Sequence, residues 1–413
     1  MSIEKAVSEN IKLLEGLLNK LPFAVVKNVQ KEVAVVRELM VRQRSPRFMI
    51  IGRRGAGKSS LLNAIFNEKM TSVGSVTSET GIAKWYTFKT SRGVIELLDT
   101  RGLGDCTRPE SATIQSAIND IYAAVDEVAP DAILFLCKAK EVDARICDDL
   151  KNVKTIISHI KTRYHYQPPV VGVVTQVDEL DPLSDFSPPY HKKLENITLA
   201  VRTLSCAFKS EGIDLLNIFP TSSYAEYDIN CKPSFSKLWN INKLVEYLVD
   251  VLPRETQVQL VRMSNVLAAQ EKTSRQLKHS IATICAGVAS VPIPVADIFP
   301  ITSLQIALIT SIGYISGRSL SRNNVRKFIT SIGINTGGAF IFREMARALV
   351  KLVVPGVGSA ISAGVAYAGT WAIGEAAIAY FIQSKDMVYV KKLMKNVLTQ
   401  KSYKKINLIK AIS

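Results

Sequence analysis

Paired cysteines are missing from this sequence. Six cysteines (Cys106, Cys137, Cys147, Cys206, Cys231 and Cys285) stand singly among 413 residues, and none forms a CxxC. No histidine lies at metal-ligand spacing from them. That excludes a structural zinc site and a secreted disulfide framework, and it fits a reducing cytosol. Charge is scarce as well: 21% of residues are Asp, Glu, Lys or Arg against 47% apolar, which excludes disorder as the main state. Internal repeats and low-complexity tracts are absent. Glu4, Lys5, Glu9, Lys12 and Glu15 interrupt the opening segment, so a signal peptide is not expected.

Acidic residues are lacking in one place above all. Residues 253–413 hold 6 of the 36 acidic side chains but 20 of the 52 basic ones, and so carry +14 of the net +16. A uniformly basic nucleic-acid binder would spread that excess. Here the last segment alone favours an anionic neighbour.

At roughly 100–200 residues per domain, the length suggests two or three domains. Apolar residues at Ile3, Val7, Ile11, Leu14, Leu18 and Leu21 recur in steps of three and four, one stripe of a helix. After Pro22 a second stripe runs through Val26, Val29, Val33, Val36 and Met40. Residues 1–46 therefore read as a helical hairpin that packs on a core or pairs with a partner helix. From Phe48 short apolar runs (48–51, 94–98, 132–137, 170–174 and 218–219) alternate with helical patterns, the grammar of a mostly parallel α/β sheet with helices on both faces. This domain spans 47–252. Beyond Pro253 a polar helix over about 255–278 leads into uncharged runs at 279–296, 298–317, 328–342 and 352–374. Residues 253–413 read as an apolar, basic helical domain, forming an all-α unit with the N-terminal helices.

Gly52-Arg53-Arg54-Gly55-Ala56-Gly57-Lys58-Ser59 matches GxxxxGK[ST], after an apolar strand and at the start of a helix. Glycines let backbone amides wrap phosphate oxygens, and the helix N-terminus adds its positive dipole end. Lys58 places a charge between the β- and γ-phosphates, and the Ser59 hydroxyl can ligate Mg²⁺. Gly52, Arg53, Gly55, Ala56, Gly57, Lys58, Ser59 and Ser60 form the expected phosphate-binding set. Leu98-Asp99-Thr100-Arg101-Gly102 ends the next predicted strand. Asp99 would hold Mg²⁺ through water, and the Gly102 amide would meet the γ-phosphate. Thr175-Gln176-Val177-Asp178 ends another strand, where Asp178 can accept both N1–H and N2–H₂ of guanine, a pair that adenine cannot offer. Thr221-Ser222-Ser223 follows the last strand, where a backbone amide would meet guanine O6.

In this order and spacing, GRRGAGKSS, DTRG, TQVD and TSS resemble the guanine-nucleotide domain of Era-like P-loop GTPases over about residues 47–252. The resemblance implies GTP and GDP with Mg²⁺, and a switch threonine between the P-loop and DTRG. Thr80 is preferred and Thr77 is the alternative; Thr80 would complete the metal shell. Two positions depart from the family pattern. Gln176 replaces a lysine that lies along base and ribose, which would lower affinity. Leu103 replaces the glutamine that orients the attacking water in Ras-like enzymes, which implies slow intrinsic hydrolysis. Arg53 and Arg54 could offset transition-state charge within the loop or across a homodimer of GTPase faces; Arg53 is also an ordinary surface residue of many such loops.

The segment from Pro292 to Ile298, with Gln305 and Ile312–Gly317, resembles an apolar C-terminal domain fused to Era-like GTPases in bacteria, some of them inner-membrane proteins. The arrangement also resembles immunity-related and dynamin-like GTPases, by architectural analogy. Three readings stay open: a packed soluble bundle, a peripheral or conditionally inserting domain, and integral hairpins. Ile298–Gly317 has about the twenty residues needed to cross ~30 Å of hydrocarbon. Met387, Val390, Met394 and Val397 form one face of a basic tail helix with Lys391, Lys392 and Lys395 elsewhere, a pattern for an anionic membrane surface or a solvated face. The expected location is cytoplasmic, with inner-membrane association open. RNA is a less favoured partner, since no KH-type GXXG loop is evident.

Overall fold

The computed structural model describes residues 12, 14–16, 18–19, 23–67, 83–90, 92–100, 114–143, 146–183, 190–228, 233–290, 298–318, 322–332 and 358–410. They fall into two compact units: a sheet unit, Ser45–Pro253, and a helical unit built from Met1–Arg44 and Arg254–Ser413. The first stretch described at length is α1 (Phe23–Val36), which runs into a π-turn at Arg37–Val41.

The sheet unit then follows as β1 (Arg47–Ile51), α2 (Lys58–Phe66), β2 (Lys84–Thr90), β3 (Gly93–Asp99), α3 (Ile114–Glu127), β4 (Ala132–Lys138), α4 (Ile146–Tyr164), β5 (Val170–Thr175), α5 (His191–Ser210), β6 (Asn217–Pro220), β7 (Ser222–Tyr227), β8 (Pro233–Trp239) and α6 (Ile241–Val251). The strand order is β2-β3-β1-β4-β5-β6, with β7 and β8 forming a separate two-stranded sheet. Only β2 runs antiparallel, against β3; the other pairs in the large sheet are parallel. Central strands covered on both faces need no polar alternation. Accordingly Ala132–Cys137 of β4 and all six residues of β5 are buried. Each such Ile, Val or Leu contributes about 1.5–3 kcal/mol relative to an exposed one. Phe135 of β4 meets Phe208 of α5 edge-on at 5.3 Å, tying sheet to helix.

The sheet is mostly parallel, as expected, and the five expected strands are all present. Three elements went unread. β2 is an edge strand with Lys84, Thr87 and Lys89 exposed, so it carries no apolar run. β7 and β8 pair from Ser222↔Trp239 onward, with an irregularity at Glu226/Tyr227.

In the helical unit α7 (Arg254–Ser264), α8 (Leu267–Ser290), α9 (Ile298–Ile315), α10 (Arg322–Ser331), α11 (Gly358–Ala377) and α12 (Met387–Lys410) complete the chain. α11 and α1 both pack along α8, α9 packs on α8 and α11, and α12 packs on α11. Of the second stripe, Val29, Val33, Val36 and Met40 are buried and Val26 is half-buried. Of the first stripe, Leu14 and Leu18 are buried, and Ile3, Val7, Ile11 and Leu21 lie outside the described residues. The single polar helix expected over 255–278 is instead two. Asn265 takes a left-handed conformation (φ 55°) between α7 and α8, which asparagine tolerates better than most side chains.

Among the described residues one helix is long and apolar enough to cross a membrane, Ala363–Ile382, and 78% of it is buried within the protein. The expected span at Ile298–Gly317 is shortened: α9 ends at Ile315, and its apolar stretch, Ile301–Ile315, falls below that length. On α12, Val390 and Met394 are buried and Lys391, Lys392 and Lys395 exposed, so the apolar face of the tail packs inward.

Polar groups occur deep in this unit. Lys278 of α8 is 1% exposed, pairs with Glu375 of α11, and sets its ammonium 3.6 Å from the Trp371 ring centroid. Gly374 makes room for it: a Cβ there would lie 2.4 Å from Cγ of Lys278. Ser280 donates to Glu32 of α1, and Gln305 of α9 donates to Thr370 at 3.0 Å.

Candidate nucleotide site

The site is built from strand ends. Parallel strands β1, β4 and β5 all stop at one edge, where residues 52–57 turn from β1 into α2. Gly52 is required by its neighbour: a Cβ there would lie 2.7 Å from the Leu136 carbonyl oxygen of β4. Gly55 (φ 77°) and Gly57 (φ 81°) take left-handed conformations, which side chains resist. Ala56 N–H donates to Arg53 O at 3.0 Å and closes the turn. Lys58 opens α2 and donates to Gly52 O at 2.5 Å and Arg53 O at 3.3 Å, so its ammonium lies within the loop. Ser59 and Ser60 are exposed on the first turn.

β5 locks onto this loop. Thr175 Oγ1 is buried and donates to Ala56 O at 2.9 Å, with a second approach of 3.3 Å to Cys137 O. Gln176, left-handed at φ 57°, donates from Nε2 to Gly55 O at 2.8 Å. Asp178 is half-buried in the turn that follows. Its backbone is anchored by Lys193 of α5, a fully buried side chain whose ammonium donates to Asp178 O and Pro182 O, each at 3.0 Å. Lys193 was not legible in the sequence, being one of many lysines on helical stretches.

After β6, Thr221 N–H donates to Val174 O at 2.7 Å, and Val177 N–H donates to Thr221 O at 3.3 Å. Thus the Asp178 turn and the Thr221–Ser223 segment are joined. Ser222 and Ser223 begin β7 rather than trailing off a strand. The hydroxyls of Thr221, Ser222 and Ser223 are buried with no hydrogen-bond partner among the described residues. The hydroxyls of Thr273, Ser274 and Ser311 in the helical unit share this state, so it does not by itself mark a site.

Asp99 ends β3, with its Cα in register with Ile50, two residues before Gly52. The neighbouring Thr100 donates to Ile50 O at 3.0 Å and fixes this strand end to β1. By residue type, Ser59 and Asp99 are hard oxygen donors of the kind that suit Mg²⁺. Thr77, Thr80, Gly102 and Leu103 lie outside the described residues. Arg54 is exposed at the turn. Arg53 is tied sideways, its Nε donating to Asp149 of α4 at 2.8 Å. Burial pushes the Asp149 carboxyl up from its ordinary value, and the Arg53 guanidinium pulls it back down. Burial also holds the nearby Cys137 thiol up at about 12.

A glycine-built loop between a parallel strand and a helix, with a lysine at its centre and a carboxylate-bearing turn from the next-but-one strand, defines a P-loop GTPase domain. Residues 47–176 match the family model described as 50S ribosome-binding GTPase. Binding and hydrolysis of GTP is the general activity of that family. The chain is similar to YfjP of Escherichia coli (strain K12), an uncharacterised protein, at 22% identity over 293 residues, covering 69% of this chain and 89% of YfjP. YkfA of the same organism, also uncharacterised, matches with the same identity and coverage. Among solved structures, Toc33 of Arabidopsis thaliana matches at 15% identity, 57% of this chain and 94% of that one, with a TM-score of 0.34. Era of Aquifex aeolicus bound to GDP and aluminium fluoride matches at 16% identity, 61% and 69%, with a TM-score of 0.31.

Proposed function

We propose that this chain is a GTP-hydrolysing switch whose nucleotide state governs how its helical unit engages an anionic membrane surface or a protein partner. The observation that carries this reading is the direct hydrogen bonding of Thr175 and Gln176 to the P-loop carbonyls, which couples phosphate binding to base selection. In this reading the loop amides and Lys58 hold the β- and γ-phosphates, and Asp178 accepts the two guanine N–H groups. Ser59 and Asp99, with Thr80 or Thr77, would hold Mg²⁺, which when bound offsets charge on the phosphate oxygens. Water attacks the γ-phosphorus, its bond to the bridging oxygen breaks, and GDP and inorganic phosphate leave. Leu103 gives that water no hydrogen bond, so turnover is slow until Arg54 or a second copy supplies positive charge. Thr80 and Gly102 order with the γ-phosphate and relax when it departs. The +14 balance of residues 253–413 supports an anionic neighbour. The inward packing of Val390 and Met394 makes exposed lysines, rather than an inserted apolar face, the contact.

Titration calorimetry in magnesium buffer tests the core: heat with GTP and GDP but not ATP is expected, and Asp178→Ala should remove the guanine preference. Heat with neither guanine nucleotide, from folded protein, overturns it. Turnover per molecule should rise from nanomolar to micromolar protein if self-association supplies the charge. A second reading, an RNA- or ribosome-associated GTPase, is favoured by the description of the family matched over 47–176. Salt-sensitive retention on RNA with no pelleting on anionic vesicles would select it.

A further inference from the structure

The two side chains that flank Gly55 divide a task between them. Gln176 donates its amide to the Gly55 carbonyl at 2.8 Å, holding the loop without adding charge. On the same glycine, a Cβ would lie 3.3 Å from both Cε and Nζ of Lys138. Lys138 is the last residue of β4, with its Cα in register with Thr175, the last residue of β5. The fold therefore sets an ammonium where the phosphate loop meets the base-selecting turn. Its counter-ion is close in sequence: Nζ pairs with Glu141 Oε1 at 2.9 Å. Arg53, the loop's own cation nearest in sequence to Gly52, has its Nε engaged by Asp149 at 2.8 Å. Lys138 thus adds a positive charge on the Gly55 side of the loop, beyond those of Arg54 and Lys58 within the loop itself.

We infer that Lys138 is a nucleotide-binding residue of this GTPase, supplying from β4 the cation that the neutral Gln176 does not supply from β5, with Glu141 holding it in place. The assignment rests on the GTP-binding reading. A half-buried ammonium beside an anion-binding loop interacts through less water than a surface lysine, and so more strongly.

Calorimetric titration of the full chain with GDP and with GTP, at low and at high salt, tests it. Lys138→Gln should weaken both nucleotides about tenfold at low salt and less at high salt, where a charge is screened. Lys138→Arg should keep most of the affinity. The double variant Lys138→Gln/Gln176→Lys should recover what Lys138→Gln loses, because the charge returns from the adjacent strand end. Wild-type affinity in Lys138→Gln overturns the assignment alone. A loss that salt does not attenuate and Gln176→Lys does not recover marks a packing role and overturns it too. A wild-type chain that binds neither nucleotide overturns the GTP-binding reading, and this assignment with it.

Discussion

The sheet unit and the helical unit handle polar groups in opposite ways. In the sheet unit the central strands β4 and β5 are buried along nearly their whole length, and the polar residues of the candidate site gather where strands stop. Lys138 ends β4, Thr175 ends β5, Thr100 follows β3, and Gly52 follows β1. A strand end is free of ladder bonding on one side, so its side chains and amides can turn to a ligand. In the helical unit polar groups sit in mid-helix and face one another, as Lys278 does Glu375, Ser280 does Glu32, and Gln305 does Thr370. A helix interior has no open backbone, so these three side chains meet partners on other helices, while the hydroxyls of Thr273, Ser274 and Ser311 are buried with no hydrogen-bond partner among the described residues. The first arrangement builds chemistry. The second fixes which helix lies against which, at the cost of tolerance to substitution.

The largest effect that would sharpen this contrast is on binding. Lys58→Ala should lower GDP affinity by a hundredfold or more, since charge-assisted contacts are worth about 1.5–3 kcal/mol each. Its thermal midpoint should stay near wild type, because the Gly52 and Arg53 carbonyls that accept from Lys58 belong to its own loop. A large drop in midpoint would show that strand ends are structural as well, and would break the comparison.

Next in size is Gly374→Ala. The added methyl meets the pinned stem of Lys278, not its free end, and overpacking of this kind costs about 1–3 kcal/mol. Chemical denaturation should show that loss while GDP affinity holds. Retained stability would mean that the buried pair is loosely held.

The smallest effect concerns the thiols. Burial holds Cys137 in the sheet unit and Cys285 in the helical unit up at about 12, from an ordinary 9.0. The folded state thus prefers the neutral thiol in both units. That contribution is intact below pH 9.0 and is lost as pH climbs from 9.0 toward 12. Alkylation below pH 9 should label the exposed Cys147 and Cys206 while sparing these two. Rapid labelling of Cys285 but not Cys137 would show that the helical unit opens more readily than the sheet.

The motif and the central strands were legible because their signals are local. A run such as Phe48–Ile51 before a glycine turn needs no knowledge of the rest of the chain. β2 was missed because an edge strand need not be apolar, and β7 and β8 because Ser222–Tyr227 mixes hydroxyls with aromatics. The two-helix form of residues 254–290 turns on one left-handed asparagine, a conformation that sequence periodicity does not register. Long uncharged runs read equally as membrane spans or as a core. The burial of Ala363–Ile382 and the partnering of Lys278 with Glu375 depend on which helices meet.

By itself, the sequence determined the phosphate loop, the order of the parallel strands' apolar runs and the carboxylate proposed to select a base, since each is written in a few consecutive residues. Tertiary structure alone decided that Lys138 stands beside Gly55, that Lys193 anchors the Asp178 turn, and that a lysine can be buried at Gly374. Those neighbours are brought together by strand register and helix packing, and no local pattern encodes a distance between segments far apart in the chain.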